Sequence, residues 1–372
     1  MNENSEGFDQ AVSTGNLTAA ESQQFREFCP GTGYRAPRRP GIRKHPMWGP
    51  VVETRDAWAL DPVLRENGSS GGVLTALAAF LLQSGEVSAV VGITASATDA
   101  FTNNSVVVRE PSEVGRLAGS RYSPARPFES IRDLPTTERI AVVGKPCDIA
   151  GLRLLSEKAG QTLPEIAYFM SFFCAGTPSW KGTERATVFL GIPRPRVASV
   201  RYRGDGWPGR FTVVDDEGTA NSMTYEESWG SILNKHLHTR CKLCLDGVGS
   251  YADIVAADSW QTDDHGYPLF EDGNGQSLVL TRTVQGERLV AAASSYFIEG
   301  TRRSLESLPR MQPSQATRKE VAAYRAIGYT LAGRSVPKFA GFARFRWVVR
   351  RPVVALRQLV GSYRRGRVEG RA

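Results

Sequence analysis

The five cysteines of this 372-residue chain are the residues with the clearest chemical potential. Cys241 and Cys244 form a Cys-x-x-Cys pair, a spacing that lets two sulfurs turn toward one metal centre. Cys147 and Cys174 each follow a β-rich run beside turn residues, with Gly144 and Pro146 before the first and Gly176 and Pro178 after the second. Four thiolates suit either an iron–sulfur cluster or zinc. Structural zinc sites usually use two short-spaced knuckles, and only one is present here, which favours a cluster. His236 and His238 lie near Cys241 and are the side chains that would complete a zinc site. The plainer alternative makes Cys147 and Cys174 buried small residues. Cys29 precedes a Pro/Gly/Arg-rich connector and is read as a packing residue outside the ligand set.

A second group carries a different chemistry. Asn67-Gly68-Ser69-Ser70-Gly71-Gly72 opens a helical pattern in which Leu74, Leu77, Ala78, Leu81 and Leu82 share a face. Unpaired N–H groups and the helix dipole favour an anion there, and the glycines let a phosphate or flat ring approach the main chain. Ser69 and Ser70 stand where N-caps belong. The loop is neither a Walker A nor a GxGxxG motif, and an ordinary capped helix is its simplest reading. Gly119-Ser120-Arg121-Tyr122 and Gly144-Lys145-Pro146 each place a cation beside a turn. Arg121 suits a phosphate, and Lys145 suits the electron-rich edge of a flavin, where a cation would stabilise the reduced ring. In Arg203-Gly204-Asp205-Gly206-Trp207-Pro208 the tryptophan is either a turn plug or a stacking surface, and the plug is the favoured reading.

The elements that must position these groups alternate. Ile140 to Val143 reads as a buried strand, then a turn, a helix from Asp148, and a second strand from Ile166 to Phe173. This is a βαβ pattern, whose sites lie at the carboxyl ends of the strands. Val200 to Val214 is β-rich, Trp229 to His238 is predicted to be one helix, and Ala252 to Ala256 and Ser277 to Thr283 are strands. The expected fold is α/β: a mixed central sheet with flanking helices, plus a smaller β-rich, cysteine-containing part. The expected organisation is a flexible leader (1–45), an N-terminal α/β region (46–195), a C-terminal region with the Cys-x-x-Cys pair (196–333) and a basic tail (334–372).

Charge narrows the function classes. Eleven basic residues and the acid Glu369 fall between Arg334 and Ala372, whereas the other 35 basic and 37 acidic residues nearly cancel. A nucleic-acid groove would spread basic residues over the fold, so no nucleic-acid partner is expected. The polar N-terminus and the absence of a long apolar run lead to a cytoplasmic expectation. There, metal binding is a better prior for the cysteines than disulfides. The tail mixes arginines with Phe339, Phe342, Phe345, Trp347 and Leu356, which suits peripheral contact with the inner face of a membrane or a docked partner. Pro352 is expected to interrupt any continuous helix there.

From about Asp61 to Ala293, successive segments resemble the coenzyme F-420 hydrogenase/dehydrogenase beta-subunit family. They are RENGSSGGVLTALAAFLL, GSRYS, VVGKPCDIAGLRLL, SFFCAGTPS, RYRGDGWPG, SWGSILNKHLHTRCKLCLDGVGSYADIVAADSW and GQSLVLTRT. The ordered set is far more specific than any one segment. The resemblance implies an α/β oxidoreductase holding FAD beside a [4Fe–4S] cluster, with Cys147, Cys174, Cys241 and Cys244 as cluster ligands. It implies a flavin site at Asn67, Ser69, Ser70, Gly71, Gly72, Ser120, Arg121, Tyr122 and Lys145, with Lys145 at the reacting ring. Hydride or electron exchange with coenzyme F-420 or a ferredoxin-type partner follows. Many members carry an N-terminal segment with repeated cysteines; here only Cys29 stands in that region, so further clusters are not expected. RYRGDGWPG and CKLCLDG resemble the branch associated with polysaccharide gene clusters, which adds a glycan-pathway enzyme as a candidate partner. The alternative is a zinc-stabilised or non-redox accessory protein of such a pathway.

Overall fold

The computed structural model describes the chain apart from residues 1, 14, 264–268, 270–271, 344–345, 347–351 and 370–372. The tail residues Arg344, Phe345, Trp347, Arg350 and Arg351 thus lie outside the described residues.

Eleven strands carry the site: β1 (Glu53–Ala59), β2 (Ala89–Ala95), β3 (Asn103–Val108), β4 (Arg139–Gly144), β5 (Glu165–Phe172), β6 (Val197–Arg201), β7 (Phe211–Asp215), β8 (Ala220–Met223), β9 (Ile254–Asp258), β10 (Ser277–Thr281) and β11 (Phe297–Arg302). Eight of them form one mixed sheet in the order β11-β1-β10-β9-β5-β4-β2-β3. Its middle, β9-β5-β4-β2, is parallel. The strands outside that middle pair antiparallel. The sequences of β4, β5, β9 and β10 are nearly continuous apolar runs because both faces of the sheet are covered.

Helix α1 (Ala19–Phe28) has a complete capping box between Thr18 and Glu21. Helix α2 (Pro62–Asn67) starts at an Asp61 cap with proline at its first position. Helix α3 (Val73–Gln83) covers one face of the sheet, packing Val73, Leu77 and Leu81 against Val90, Ala141, Met170 and Val279. On the other face, α4 (Pro146–Ala159) packs Ile149, Ala150 and Leu152 against Val91, Val142, Phe169 and Val255. Tyr34 and Phe342, from opposite ends of the chain, join that second core.

Strands β6, β7 and β8 form a separate antiparallel sheet. With α5 (Trp180–Phe189) it encloses its own core of Ala186, Tyr202, Phe211, Val213 and Leu233. The expected helix from Trp229 to His238 is instead broken in two: a wide π-type segment at Glu226–Ile232, then a tighter turn at Leu233–His236. The Cys-x-x-Cys pair follows, with Cys241 on the short helix α6 (Thr239–Leu243) and Cys244 as its extended C-cap. Helix α7 (Val284–Ala292) crosses between β10 and β11, and α8 (Pro313–Leu331) precedes α9 (Pro352–Glu369). Pro352 begins α9 rather than interrupting it. At the first helical position its missing N–H costs nothing and its fixed φ suits the helix.

A buried carboxylate joins three of these elements. Asp253 is 1% exposed. It accepts hydrogen bonds from the Arg153 guanidinium on α4 (2.7 Å), the Phe169 amide on β5 (2.9 Å) and the Thr283 hydroxyl at the start of α7 (2.9 Å). Asp253→Ala would strand a buried arginine and two further donors. We expect it to cost about 3–5 kcal/mol, read from the midpoint of urea unfolding. A cost below about 1 kcal/mol, the size of an exposed pair, would show that this junction does not hold the layers together.

Candidate redox site at the strand ends

The parallel strands end at one edge, and a cavity of ≈ 310 Å³ opens there. Gly92 and Ile93 of β2, Gly144 after Val143 of β4, Phe172 of β5 and Asp258 of β9 all line it. This is where an open α/β sheet places its ligands. The sequence-expected Ser69, Ser70, Gly72, Ser120, Arg121, Tyr122 and Lys145 line the cavity, as does Cys174. Asn67 and Gly71 are not among the lining residues.

Gly71 has another task. A Cβ on it would lie 2.7 Å from the Ala57 carbonyl oxygen and 2.8 Å from the Ser277 nitrogen. Its amide donates to Ser277 Oγ (2.9 Å) and its carbonyl accepts from Ala59 (2.6 Å), so it seats the loop on the sheet. Asn67 accepts from Arg201 (3.4 Å). Ser69 and Ser70 are not caps, contrary to the sequence reading. Gly72 occupies the N-cap of α3 in a left-handed conformation (φ +72°) that a glycine adopts without steric cost, and no side chain caps the helix. The first N–H groups of α3 are therefore left to the cavity, which Val73, Leu74 and Thr75 line. Ser70 Oγ donates to the Gln276 carbonyl (3.0 Å), whereas Ser69 Oγ is buried without a partner.

Two more helices start at the cavity without a side-chain cap: α4 at Lys145 and α8 at Gln312. Three helix N-termini thus face one space, a strongly anion-favouring arrangement. Lys145 Nζ lies 2.6 Å from Asp148 Oδ2. Burial alone would lower the lysine's pKa, but Asp148 and the neighbouring thiols outweigh it and hold it above the usual lysine value. Lys145 is accordingly a fixed cation. Arg121 is committed to the protein: its guanidinium donates to Asn103 Oδ1 (2.6 Å), Val200 O (2.6 Å) and Ala100 O (3.1 Å).

Beneath this cavity lie the other cysteines. The Thr177 amide donates to Cys241 Sγ (3.5 Å), and a Cβ on Gly176 would come 3.3 Å from Cys241 Cβ, so the Cys-x-x-Cys turn packs on the loop that carries Cys174. The Asp246 amide donates to Cys244 Sγ (3.4 Å). Cys147 occupies the first turn of α4, where the helix dipole favours a thiolate. The thiols are electrostatic neighbours in a chain, Cys147 with Cys174, Cys174 with Cys241, and Cys241 with Cys244. Burial pushes all three of Cys147, Cys174 and Cys244 up, the last to about 12. The Arg240 guanidinium stands within electrostatic reach of Cys147, Cys241 and also Cys29. Among the described residues, no three His, Cys, Asp or Glu side chains are already arranged as a metal cage. The donor chemistry, four thiols of which two accept backbone N–H groups, is that of a thiolate-bound cationic centre. The two histidines differ in their surroundings. His238 Nδ1 accepts from the Arg240 amide (3.1 Å) and its ring meets Phe8 at 4.6 Å. His236 packs where a Cβ on Gly182 would lie 2.9 Å from its own Cβ.

Sequence reasoning missed the part of the lining formed by Arg203, Asp258 and Trp260. Arg203, 3% exposed, forms a two-pronged pair with Asp258 (2.9 and 3.0 Å). Trp207 Nε1 donates to the same carboxylate (2.9 Å), and its ring stacks on Trp260 at 4.5 Å. Arg203 also lies over Tyr225, 4.6 Å from its centroid. Trp207, expected as a plug of its own turn, instead stacks on Trp260 and bonds Asp258. The partner that makes the wall, Asp258, lies 55 positions further along the chain, and no local pattern announces it.

The site and fold now place the chain in a class of proteins: open α/β proteins with a ligand cavity and a cysteine set at their strand ends. The chain belongs to the coenzyme F420 hydrogenase/dehydrogenase beta-subunit family, matching that family's beta subunit N-terminal description over residues 55–132 and its C-terminal description over residues 137–301. It is 25% identical over 237 residues to the F420-dependent formate dehydrogenase 1 subunit beta of Methanococcus maripaludis, covering 63% of this chain and 57% of that protein. It is 24% identical over 210 residues to an F(420)H(2) dehydrogenase subunit of Methanosarcina mazei, covering 53% and 56%. The chain therefore spans a little over half the length of these two relatives. A chain of the F420-reducing [NiFe] hydrogenase complex from Methanosarcina barkeri shares the fold, with a TM-score of 0.59 at 17% identity over 79% of this chain and 98% of that one.

Arg203→Met would leave the Asp258 carboxylate paired only with Trp207 Nε1. We expect a stability loss of about 3 kcal/mol and a red-shifted tryptophan emission as the Trp207–Trp260 stack loosens. Unchanged emission and midpoint would show that the clamp does not organise this wall.

Proposed function

We propose that this chain is the flavin- and cluster-bearing subunit of an F420-linked oxidoreductase. One observation carries the reading: Cys174 belongs to both halves of the site. It lines the cavity, and it is also the electrostatic neighbour of Cys147 and Cys241. An organic ring in the cavity and a metal centre on the four sulfurs would share that one wall.

The residues divide the work. Cys147, Cys174, Cys241 and Cys244 would hold a [4Fe–4S] cluster, with the Thr177 and Asp246 amides donating to two of the sulfurs. The uncapped start of α3, Ser69 and Ser70 would receive the pyrophosphate of FAD. Lys145 fixes a positive charge at the end of β4, where negative charge on a reduced ring is stabilised. Ser120 and Tyr122 line the same space and would orient the ring system. Arg203, Tyr225 and Trp260 line a further wall and would limit access of water. When bound, the flavin supplies two-electron hydride exchange and the cluster supplies one-electron steps. Relatives named for F420 make the deazaflavin the hydride-exchange partner of choice. The single-electron partner is a ferredoxin-type protein or a further subunit.

The test is a stopped-flow titration of the anaerobically purified chain with reduced F420. We expect bleaching of bound flavin and turnover with an artificial one-electron acceptor. Lys145→Met should slow flavin reduction about 100-fold, the scale of removing one preorganised charge. A protein that purifies without flavin and cannot be loaded with it contradicts the reading, as does a Lys145→Met variant with the wild-type rate.

A further inference from the structure

The helix α9 presents an apolar surface that the other described residues do not cover. One side of α9 is packed: Ala355 and Ser362 are buried, and Gly366 sits so close that a Cβ on it would lie 2.8 Å from Ala332 Cβ. Gly328 of α8 allows the same approach, since a Cβ there would be 2.4 Å from the Leu359 carbonyl oxygen. The bond from Arg325 Nε to Gln358 Oε1 (2.8 Å) pins the pair. α9 is therefore a docked part of the fold with a fixed outward face.

That outward face is apolar. Val353, Leu356, Val360 and Tyr363 follow a three- and four-residue spacing and so form one stripe. All four are exposed, Val353 at 66% and Leu356 at 61%. Arg357, Arg364 and Arg367 are exposed beside the stripe. In the helix sequence from Pro352 to Glu369 the acid is the final residue alone. The surface is thus a ridge of aliphatic side chains rimmed by arginines.

We infer that this face docks on an anionic lipid surface. The stripe alone would fit a second copy of the chain, but an isologous contact would bring two arginine rims together with no acids between them. The arginines alone would fit a nucleic acid, but Val353, Leu356 and Val360 would then be set against phosphates. An anionic bilayer interface satisfies both features: the aliphatic stripe enters the acyl boundary while guanidinium groups remain at the headgroups. The charge of the chain has the same polarity, because its basic excess is concentrated from Arg334 onward while the rest nearly cancels. No helix among the described residues is long and apolar enough to cross a membrane, so the contact lies on the surface. The inference is independent of the redox reading.

Flotation of the full-length chain with vesicles tests it. One set is phosphatidylcholine alone, and the other contains phosphatidylglycerol. We expect recovery with the anionic vesicles and not the neutral ones, and release on raising the salt. L356E/V360E should reduce recovery at least about tenfold, and R357Q/R364Q should weaken vesicle affinity about 30-fold. These positions are exposed, so far-UV circular dichroism of both variants should match the parent. Wild-type flotation by both variants, or none by the parent chain, overturns the inference. A dimer of the parent chain that L356E/V360E dissolves would also overturn it, by assigning the stripe to a second copy.

Discussion

The parallel register of three strands fixes everything else in this protein. Gly144 of β4 lies opposite Ser171 of β5, and Phe172 of β5 lies opposite Ala256 of β9. The strands consequently end at one level, and whatever follows each is delivered to the same edge. After β4 come Lys145 and Cys147, after β5 comes Cys174, and Asp258 and Trp260 close β9. A one-residue slip would exchange the two faces of a strand and draw its trailing loop out of line. Asp253 opposes such a slip by bonding α4, β5 and the start of α7 at once, and Ser171 Oγ donates to the Gly144 carbonyl (2.9 Å) at the site edge itself.

Two environments meet across this edge. Above it, the cavity combines three uncapped helix starts with the Lys145 cation, and each favours a ligand rich in negative charge. In the cysteine set, Arg240, Lys145 and Arg318 are within electrostatic reach of Cys147 or Cys174 and oppose the cost of burying thiolates. Cys174 is common to both. The polar residues of the aromatic wall are internally satisfied, because Asp258 binds Arg203 and Trp207 together.

Much of this could be read in the sequence, for identifiable reasons. Strands such as β4 and β5 are buried on both faces, so their apolar runs are unbroken and their ends unambiguous. Turn residues beside Cys147 and Cys174 marked those ends, which is why the cysteines stood out. The start of α3 was legible as a glycine loop, but its cap was not. Serine propensity pointed to Ser69 and Ser70, whereas a left-handed Gly72 ends the loop and frees the helix start. Gly71 was assigned to the ligand by pattern; its crowding against Ala57 and Ser277 is a tertiary contact that no local pattern carries. The same holds for the Arg203–Asp258 clamp. The break at Ile232 divides a segment that helical periodicity predicts to be continuous. Pro352 was legible as a boundary, and its role depended on which side of it the helix lay.

The central claim is that four sulfurs distant in sequence bind one inorganic centre at this edge. Iron and acid-labile sulfide per chain, measured after anaerobic reconstitution of the parent and of five single Cys→Ser variants, test it most directly. The account predicts about four irons and four sulfides in the parent, as a cubane cluster requires. Serine at Cys147, Cys174, Cys241 or Cys244 should lower that content sharply, and Cys29→Ser should leave it intact. Full iron content in any of the first four variants, or a parent chain that takes up zinc in place of iron, would contradict it.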